Sequence, residues 1–298
     1  MPVSHLLLVL LVVVVWGLNF LFVGLGLQEI SPLQLCALRF LLASIPAVFF
    51  IKLPKSTFKM VALYGLVMFG LQFGLLFIGM KVGMPPGMAS MLMQVQVFFS
   101  MFFAVLFLGE QLNRGQLIGA LVSFAGIGLV ALHFDKDISL VGFLFILAAA
   151  ATWGVGNLIT KKIKGNNQNM MALIVWGSFF ACIPMFLLSL IVEGPASFAS
   201  TFEHITWKGI GSLFYIVFAS TWVGYGIWNW LVARYPVGMI APFTLLVPIV
   251  GIISSILVFG EPFQLWKLEA GLLVITGLCI NSFGAHLFVV KNQAETVV

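Results

Sequence analysis

Charge is what this sequence has least of. Only 8% of its 298 residues are charged while 62% are hydrophobic, whereas a water-soluble domain carries about 25% charged residues. So few charges cannot cover a soluble globule of a length that would ordinarily suggest about two domains. GxxxxGK[ST] is missing, so the chain has no P-loop and no ATP-driven motor of its own. The three cysteines, Cys36, Cys182 and Cys279, are odd in number and lie in apolar stretches. That pattern argues against a disulfide framework or a metal centre and leaves them as small core residues. No basic n-region precedes the apolar run Leu6 to Gly26, and no clear cleavage site closes it. The run is therefore expected to be a retained first span rather than a signal peptide.

What is present is one apolar run after another. A helix crossing the hydrocarbon core takes about 20 residues, and runs of that kind are predicted near 5–27, 33–51, 60–81, 86–108, 114–132, 140–160, 170–192, 209–231, 238–259 and 265–289. Ten helices use about 200 residues, which leaves no room for an appended catalytic domain. The net charge of +5 sits in the short connections, which suits membrane orientation rather than nucleic-acid binding. With the N-terminus in the cytoplasm, that side holds Lys52, Lys55, Lys59, Arg114, Lys161, Lys162, Lys164, Arg234 and Lys291. The other side holds Lys81, Lys136, Lys208 and Lys267, and Arg39 lies inside a span. The bias predicts both termini in the cytoplasm.

The two halves repeat. Trp16-Gly17-Leu18-Asn19 in span 1 is echoed by Trp153-Gly154-Val155-Gly156-Asn157 in span 6, and Ile45-Pro46 by Ile183-Pro184. Pro85-Pro86-Gly87-Met88 and Pro236-Val237-Gly238-Met239 open spans 4 and 9, and each first proline lies 25 residues before the glutamate of a Gly-Glu pair, Glu110 or Glu261. Gly126 and Gly277 follow those glutamates by 16 residues. The expected units are residues 1–135 and 136–298, with the long connection 193–208 accounting for the changed offset. Five is odd, so the second unit must insert upside down. Inverted repeats of this sort build secondary transporters, with the substrate near the midplane between them. The fold class is therefore an all-α membrane protein of ten helices in a 5+5 inverted-topology repeat.

The paired WGLN and WGVGN motifs, Arg39-Phe40 and the repeated Gly-Glu resemble the EamA family of the drug/metabolite transporter superfamily. So do the stretches LVVVVWGLNF (11–20), GMPPGMAS (83–90), VGYGIW (223–228) and LLVPIVG (245–251). The likeness covers nearly the whole chain. Within the family it implies a bacterial inner-membrane exporter of O-acetylserine, cysteine and related small amino-acid metabolites.

Arg39 is the most informative single residue, because a charge in mid-helix costs about 2.5–3.5 kcal/mol on insertion scales and so faces protein or water. It is either a partner for a substrate carboxylate or a structural arginine that snorkels or binds carbonyls. Asn19, Gln72, Gln94, Gln96, Trp153, Asn157, Thr221, Tyr225 and Thr244 also fall within spans. Lipid offers them no partner, so they should face the interior, as a polar path or as helix-to-helix hydrogen bonds. Gln94 and Gln96 are two apart on a helix and are expected to diverge, with at most one central. The substrate-contacting set is Asn19, Arg39, Gln72, Gln94, Trp153, Asn157 and Tyr225. Trp16, Trp153, Tyr225 and Trp228 are candidate cavity walls, and Pro248 is a candidate hinge.

No Asp or Glu lies near the centre of any span, and proton-coupled carriers generally need a titratable group in the path. Facilitated release is therefore favoured over proton antiport. An enzyme is disfavoured because the mid-span regions hold no His or Asp/Glu cluster, and no cofactor or metal is implied. The expected partners are a small amino-acid-like molecule and membrane lipid, with the chain a monomer or homodimer. The alternative is an exporter of aromatic amino acids or of amphipathic or cationic drugs.

Overall fold

In hydrocarbon every backbone N–H and C=O must be satisfied within its own segment, which for apolar runs means helix. A computed structural model of the chain describes residues 1–53, 58–133, 138–164, 170–235, 237–262 and 264–294. Lys55, Lys136 and Pro236 lie outside the described residues, as do the side chains of Lys164, His286 and Lys291. Among the described residues ten helices are long and apolar enough to cross a membrane: Val3–Gly26, Pro32–Phe49, Phe58–Lys81, Pro86–Leu108 and Arg114–Ala131 in the first half, then Leu140–Ile163, Met170–Val192, Trp207–Val232, Pro242–Phe259 and Leu265–Ser282. They are spans 1 to 10 below. The chain is a multi-pass membrane protein. Span 1 begins and span 10 ends on the same side, here the terminal face.

Local signals set the helix ends. Spans 2 and 4 start with a proline in the first turn, Pro32 and Pro86, where the missing N–H costs nothing. Span 5 starts with a reciprocal capping box in which the Gln116 N–H donates to Asn113 Oδ1 and the Asn113 N–H donates to Gln116 Oε1, both at 2.9 Å. Spans 4 and 9 stop at Gly109 and Gly260, whose φ of +67° and +64° is the left-handed cap that glycine adopts most readily. These caps stand on opposite faces, as an inverted repeat demands. The connection 193–208 is not all loop, because it contains the helix Pro195–His204.

The two halves pack as mirror roles. A Cβ on Gly17 of span 1 would fall on Val250 of span 9, and one on Gly154 of span 6 would fall on Phe99 of span 4. Spans 5 and 10 meet in the same reciprocal way, Gly126 against Ala270 and Gly277 against Gly119.

Span 2 breaks after Ser44 and ends in a 3₁₀ turn at Ala47–Phe49, and four further spans that are not regular helices form two equivalent pairs. Span 3 widens into a π-helical stretch at Gly65–Leu71, and span 8 does so at Tyr215–Gly224. Span 4 tightens to a 3₁₀ turn at Met93–Val95, and span 9 begins as one at Ala241–Leu246. Pro248 therefore stands in the first turn of the helix Val247–Phe259 rather than in the middle of a continuous one. It needs no N–H there, and it marks the change of register.

Away from the terminal face the bundle is packed shut. Val23, Leu27, Ile30, Phe77, Met80, Met84 and Met88 are buried in one cluster. Wetting a side chain of this size costs about 1.5–3 kcal/mol, so this plug is a substantial barrier to water.

Candidate functional site

A cavity of about 460 Å³ lies between the halves, lined by residues of spans 1 to 4 and 6 to 9. Its walls run from Asn19, Arg39, Gln72, Ser90 and Ser220 at mid-depth to Thr160, Met170 and Val232 at span ends on the terminal face. The cavity thus reaches toward the terminal face and ends at the apolar plug on the other. The π and 3₁₀ segments of spans 3, 4, 8 and 9 all border it. Such breaks in helical register occur frequently at functional sites, and discontinuous helices form the substrate sites of many carriers.

Arg39 occupies the deep end. Its guanidinium lies over the Phe73 ring at 4.1 Å and within 5.4 Å of the Phe40 ring, a cation–π arrangement that stabilises a partly desolvated charge. Nη2 donates to Thr221 Oγ1 at 3.3 Å. Nε and Nη1 are buried with no protein partner, and no carboxylate among the described residues pairs with it. The side chain is 2% exposed. A buried donor left unpaired costs about 1–3 kcal/mol, and more when charged.

Other orphaned groups belong to residues that line the same cavity. Asn19 Oδ1 and both amide atoms of Gln72 are buried without partners, as is Asn229 Nδ2. Toward the terminal face a second polar cluster is better satisfied. Asn157 Nδ2 donates to Gln96 Oε1 at 3.0 Å and to Ser100 Oγ at 2.9 Å, and Gln94 Nε2 donates to the Thr244 carbonyl at 3.3 Å. Between the clusters stands an aromatic wall. Trp16 lies 5.3 Å from Tyr225 and 5.4 Å from Trp228, centroid to centroid, and its Nε1 donates to the Ser220 carbonyl at 3.2 Å.

All seven residues of the expected substrate-contacting set line this one cavity, as do Trp16 and Trp228. One expectation fails: Gln94 and Gln96 both face the cavity. The 3₁₀ turn explains it, since residues two apart diverge by about 120° there instead of about 160° in an α-helix. Ser90, Asn229, Thr160 and Tyr64 also line the cavity and were missed. For Asn229 the signal was available, an amide flanked by Trp228 and Trp230 within a span. Cys36 and Cys182 are buried, Cys279 is half-buried, and all three are free thiols. Among the described residues no cluster of His, Cys, Asp or Glu could hold a metal ion.

The arrangement can hold a small molecule bearing a carboxylate and hydrogen-bonding groups. Among the described residues the cavity lining contains no acid or base able to transfer protons near neutral pH, Arg39 being its sole charged member.

A solved structure with 14% sequence identity superposes with a TM-score of 0.63, covering 97% of this chain and 99% of its own, which establishes a shared fold. Over 93% of its length the chain is 39% identical to an Escherichia coli (strain K12) protein named "Probable amino-acid metabolite efflux pump", covering 94% of that protein. A Salmonella typhimurium protein of the same name is 40% identical, with 93% and 94% covered. The profile described as the EamA-like transporter family matches twice, at residues 3–132 and 140–283. Two matches to one profile, on two halves that pack in mirrored roles, identify this chain as a member of the EamA-like transporter family.

Proposed function

We propose that this chain exports small neutral amino-acid metabolites, O-acetylserine and cysteine among them, across the bacterial inner membrane by alternating access. The observation that carries the proposal is Arg39, a buried guanidinium with two unpaired donor atoms and no acidic partner among the described residues. Arginine binds carboxylates through two parallel N–H bonds. In this reading the substrate carboxylate sits on the Nη1/Nη2 edge, taking Nη2 from Thr221, and its ammonium donates to Asn19 Oδ1 and Gln72 Oε1. The aromatic wall, Trp153 and the Gln94/Gln96/Asn157 cluster receive the side chain. These are the roles we assign to Asn19, Arg39, Gln72, Gln94, Trp153, Asn157 and Tyr225.

Export as the direction is taken from the resemblance and from the names of the two relatives, and the Lys/Arg bias supports a cytoplasmic terminal face. The open end of the cavity then faces the interior of the cell, where an exporter loads. The names of the two relatives support an amino-acid-type cargo. The lack of an acid in the lining supports facilitated release down a gradient rather than proton antiport. The Trp16–Tyr225–Trp228 wall gives a second reading, the export of aromatic amino acids or amphipathic cations, which also stack on indole faces.

The test is counterflow in liposomes containing this protein alone, at equal pH on both sides. The panel is labelled O-acetylserine, cysteine, phenylalanine and tetraphenylphosphonium. Saturable counterflow of the first two, lost in folded Arg39→Gln, supports the proposal. Flux of the last two alone selects the second reading, and counterflow of O-acetylserine undiminished in Arg39→Gln removes Arg39 from the site.

A further inference from the structure

The widened turn of span 8, Tyr215–Gly224, belongs to the second half, and among the described residues three side-chain hydrogen bonds tie it to the first. Tyr215 OH donates to the Val15 carbonyl at 3.0 Å, Trp16 Nε1 donates to the Ser220 carbonyl at 3.2 Å, and Arg39 Nη2 donates to Thr221 Oγ1 at 3.3 Å. The first two each use a backbone carbonyl. The third alone ends on the charged group of the cavity.

Thr221 is poised for one role in that contact. Its hydroxyl carries one proton and two lone pairs. The proton goes to the Ile216 carbonyl at 3.0 Å, five residues back, which is the spacing of a π-helical turn. A lone pair is what Arg39 meets. Thr221 is 3% exposed, so water does not readily take over either bond.

We propose that Thr221 couples substrate occupancy to movement: in the empty carrier it holds Arg39 and so locks span 2 to the π turn of span 8, and a substrate carboxylate breaks the lock by taking Arg39. This rests on the reading of Arg39 as the carboxylate site. A carboxylate is a stronger acceptor for a guanidinium than a hydroxyl is, so the exchange runs in the substrate's favour. Once Arg39 turns to the substrate, the hydroxyl tie between the halves is gone and span 8 is free to shift against span 2. Locked when empty and released when loaded, the carrier exchanges solute faster than it delivers net flux, because net flux needs the empty form to return.

That difference separates coupling from a merely structural role. The experiment measures exchange and net efflux of labelled O-acetylserine from liposomes, with binding followed by tryptophan fluorescence, in wild type, Thr221→Val and Thr221→Ser. In wild type, exchange should exceed net efflux. Thr221→Val removes the hydroxyl at nearly constant shape, so binding should tighten about tenfold, the worth of one hydrogen bond to a charged group. Its net efflux should rise to meet its exchange rate. Thr221→Ser keeps the hydroxyl and should keep the gap. If Thr221→Val does not fold, Thr221→Ala reports the same two quantities. Equal loss of both fluxes in folded Thr221→Val or Thr221→Ala, or an unchanged gap and affinity, overturns the inference. If the Thr221 variants give either of those results while Arg39→Gln is inactive in the same assay, the carboxylate reading stands and only the coupling falls. Wild-type protein that carries no O-acetylserine overturns the substrate reading and the coupling together.

Discussion

Glu193, at the end of span 7, accepts the backbone N–H of Leu33, in the first turn of span 2, at 2.8 Å. The same carboxylate accepts from the Gln34 N–H at 3.1 Å and from the hydroxyls of Ser31 and Ser189 at 2.6 Å. Span 2 is thus capped by an acid from the other half of the chain. The negative charge meets the positive end of the helix dipole. Glu193→Ala should lower stability by about 1–2 kcal/mol, the scale of a lost N-cap, and Glu193→Gln should lower it less. Thermal unfolding in detergent checks both, and equal melting temperatures for all three proteins would deny the cap any weight.

A second carboxylate on that face makes a pH prediction. Glu29 accepts the Thr206 N–H at 2.9 Å and the Thr206 hydroxyl at 2.7 Å. The backbone N–H of Thr206, then its hydroxyl, with the Lys208 ammonium nearby, hold the Glu29 pKa below its ordinary value of 4.5. A carboxyl whose folded pKa is depressed contributes stability that is fully present above the unfolded value and is lost as pH falls through the folded one. Wild type should therefore lose melting temperature between about pH 5 and pH 3 more steeply than Glu29→Gln. Parallel curves would show that the contact contributes nothing. The effect is small, since Glu29 lies near water, where charge interactions are screened.

The close approaches at Gly17 and Gly154 are symmetry mates, so they should fail alike. A Cβ at Gly17 would lie 2.5 Å from Val250 Cβ, and one at Gly154 would lie 2.9 Å from Phe99 Cβ. Neither neighbour is the end of a flexible side chain, so Gly17→Ala and Gly154→Ala should each cost about 1–3 kcal/mol through overpacking. Gly128→Ala, with nothing within 4 Å of its added carbon, is the control and should melt as wild type does.

Asn157 and Gln96 join span 6 to span 4 inside the cavity. A double-mutant cycle with Asn157→Ala and Gln96→Ala should give a coupling of about 0.6 kcal/mol, typical of side-chain hydrogen bonds between membrane helices. Unfolding free energies that simply add would show that the two amides act separately.

The ten spans and their pairing were legible in the sequence because both leave compositional marks. A span is a run of apolar letters, and Trp-Gly, Pro and Gly-Glu recur at matched intervals. The lining was legible for a related reason. Polar residues are so few within these spans that Asn19, Gln72 and Asn157 have one place to go. The register changes were not. A π turn at Gly65–Leu71 shifts hydrogen bonds by one residue and leaves no trace in an apolar run, and that segment has no proline to betray it. The helix Pro195–His204 looked like loop because it is short and polar. The cap at Glu193 joins residues some 160 positions apart, beyond any local pattern.

Two halves of one plan need not be equal partners. Counting from the paired Trp-Gly and Pro-Gly motifs, the mates of Asn157 and Gln96 are Phe20 and Val247, which cannot form an amide pair. The polar brace between spans 6 and 4 therefore has no twin between spans 1 and 9. Each hydrogen bond of about 1 kcal/mol that one conformation makes and its inverted image lacks skews their populations about fivefold. Sequence divergence between the repeats is then a setting of the idle position: it fixes which side an unloaded molecule presents, and how much cargo binding must offset to turn it over.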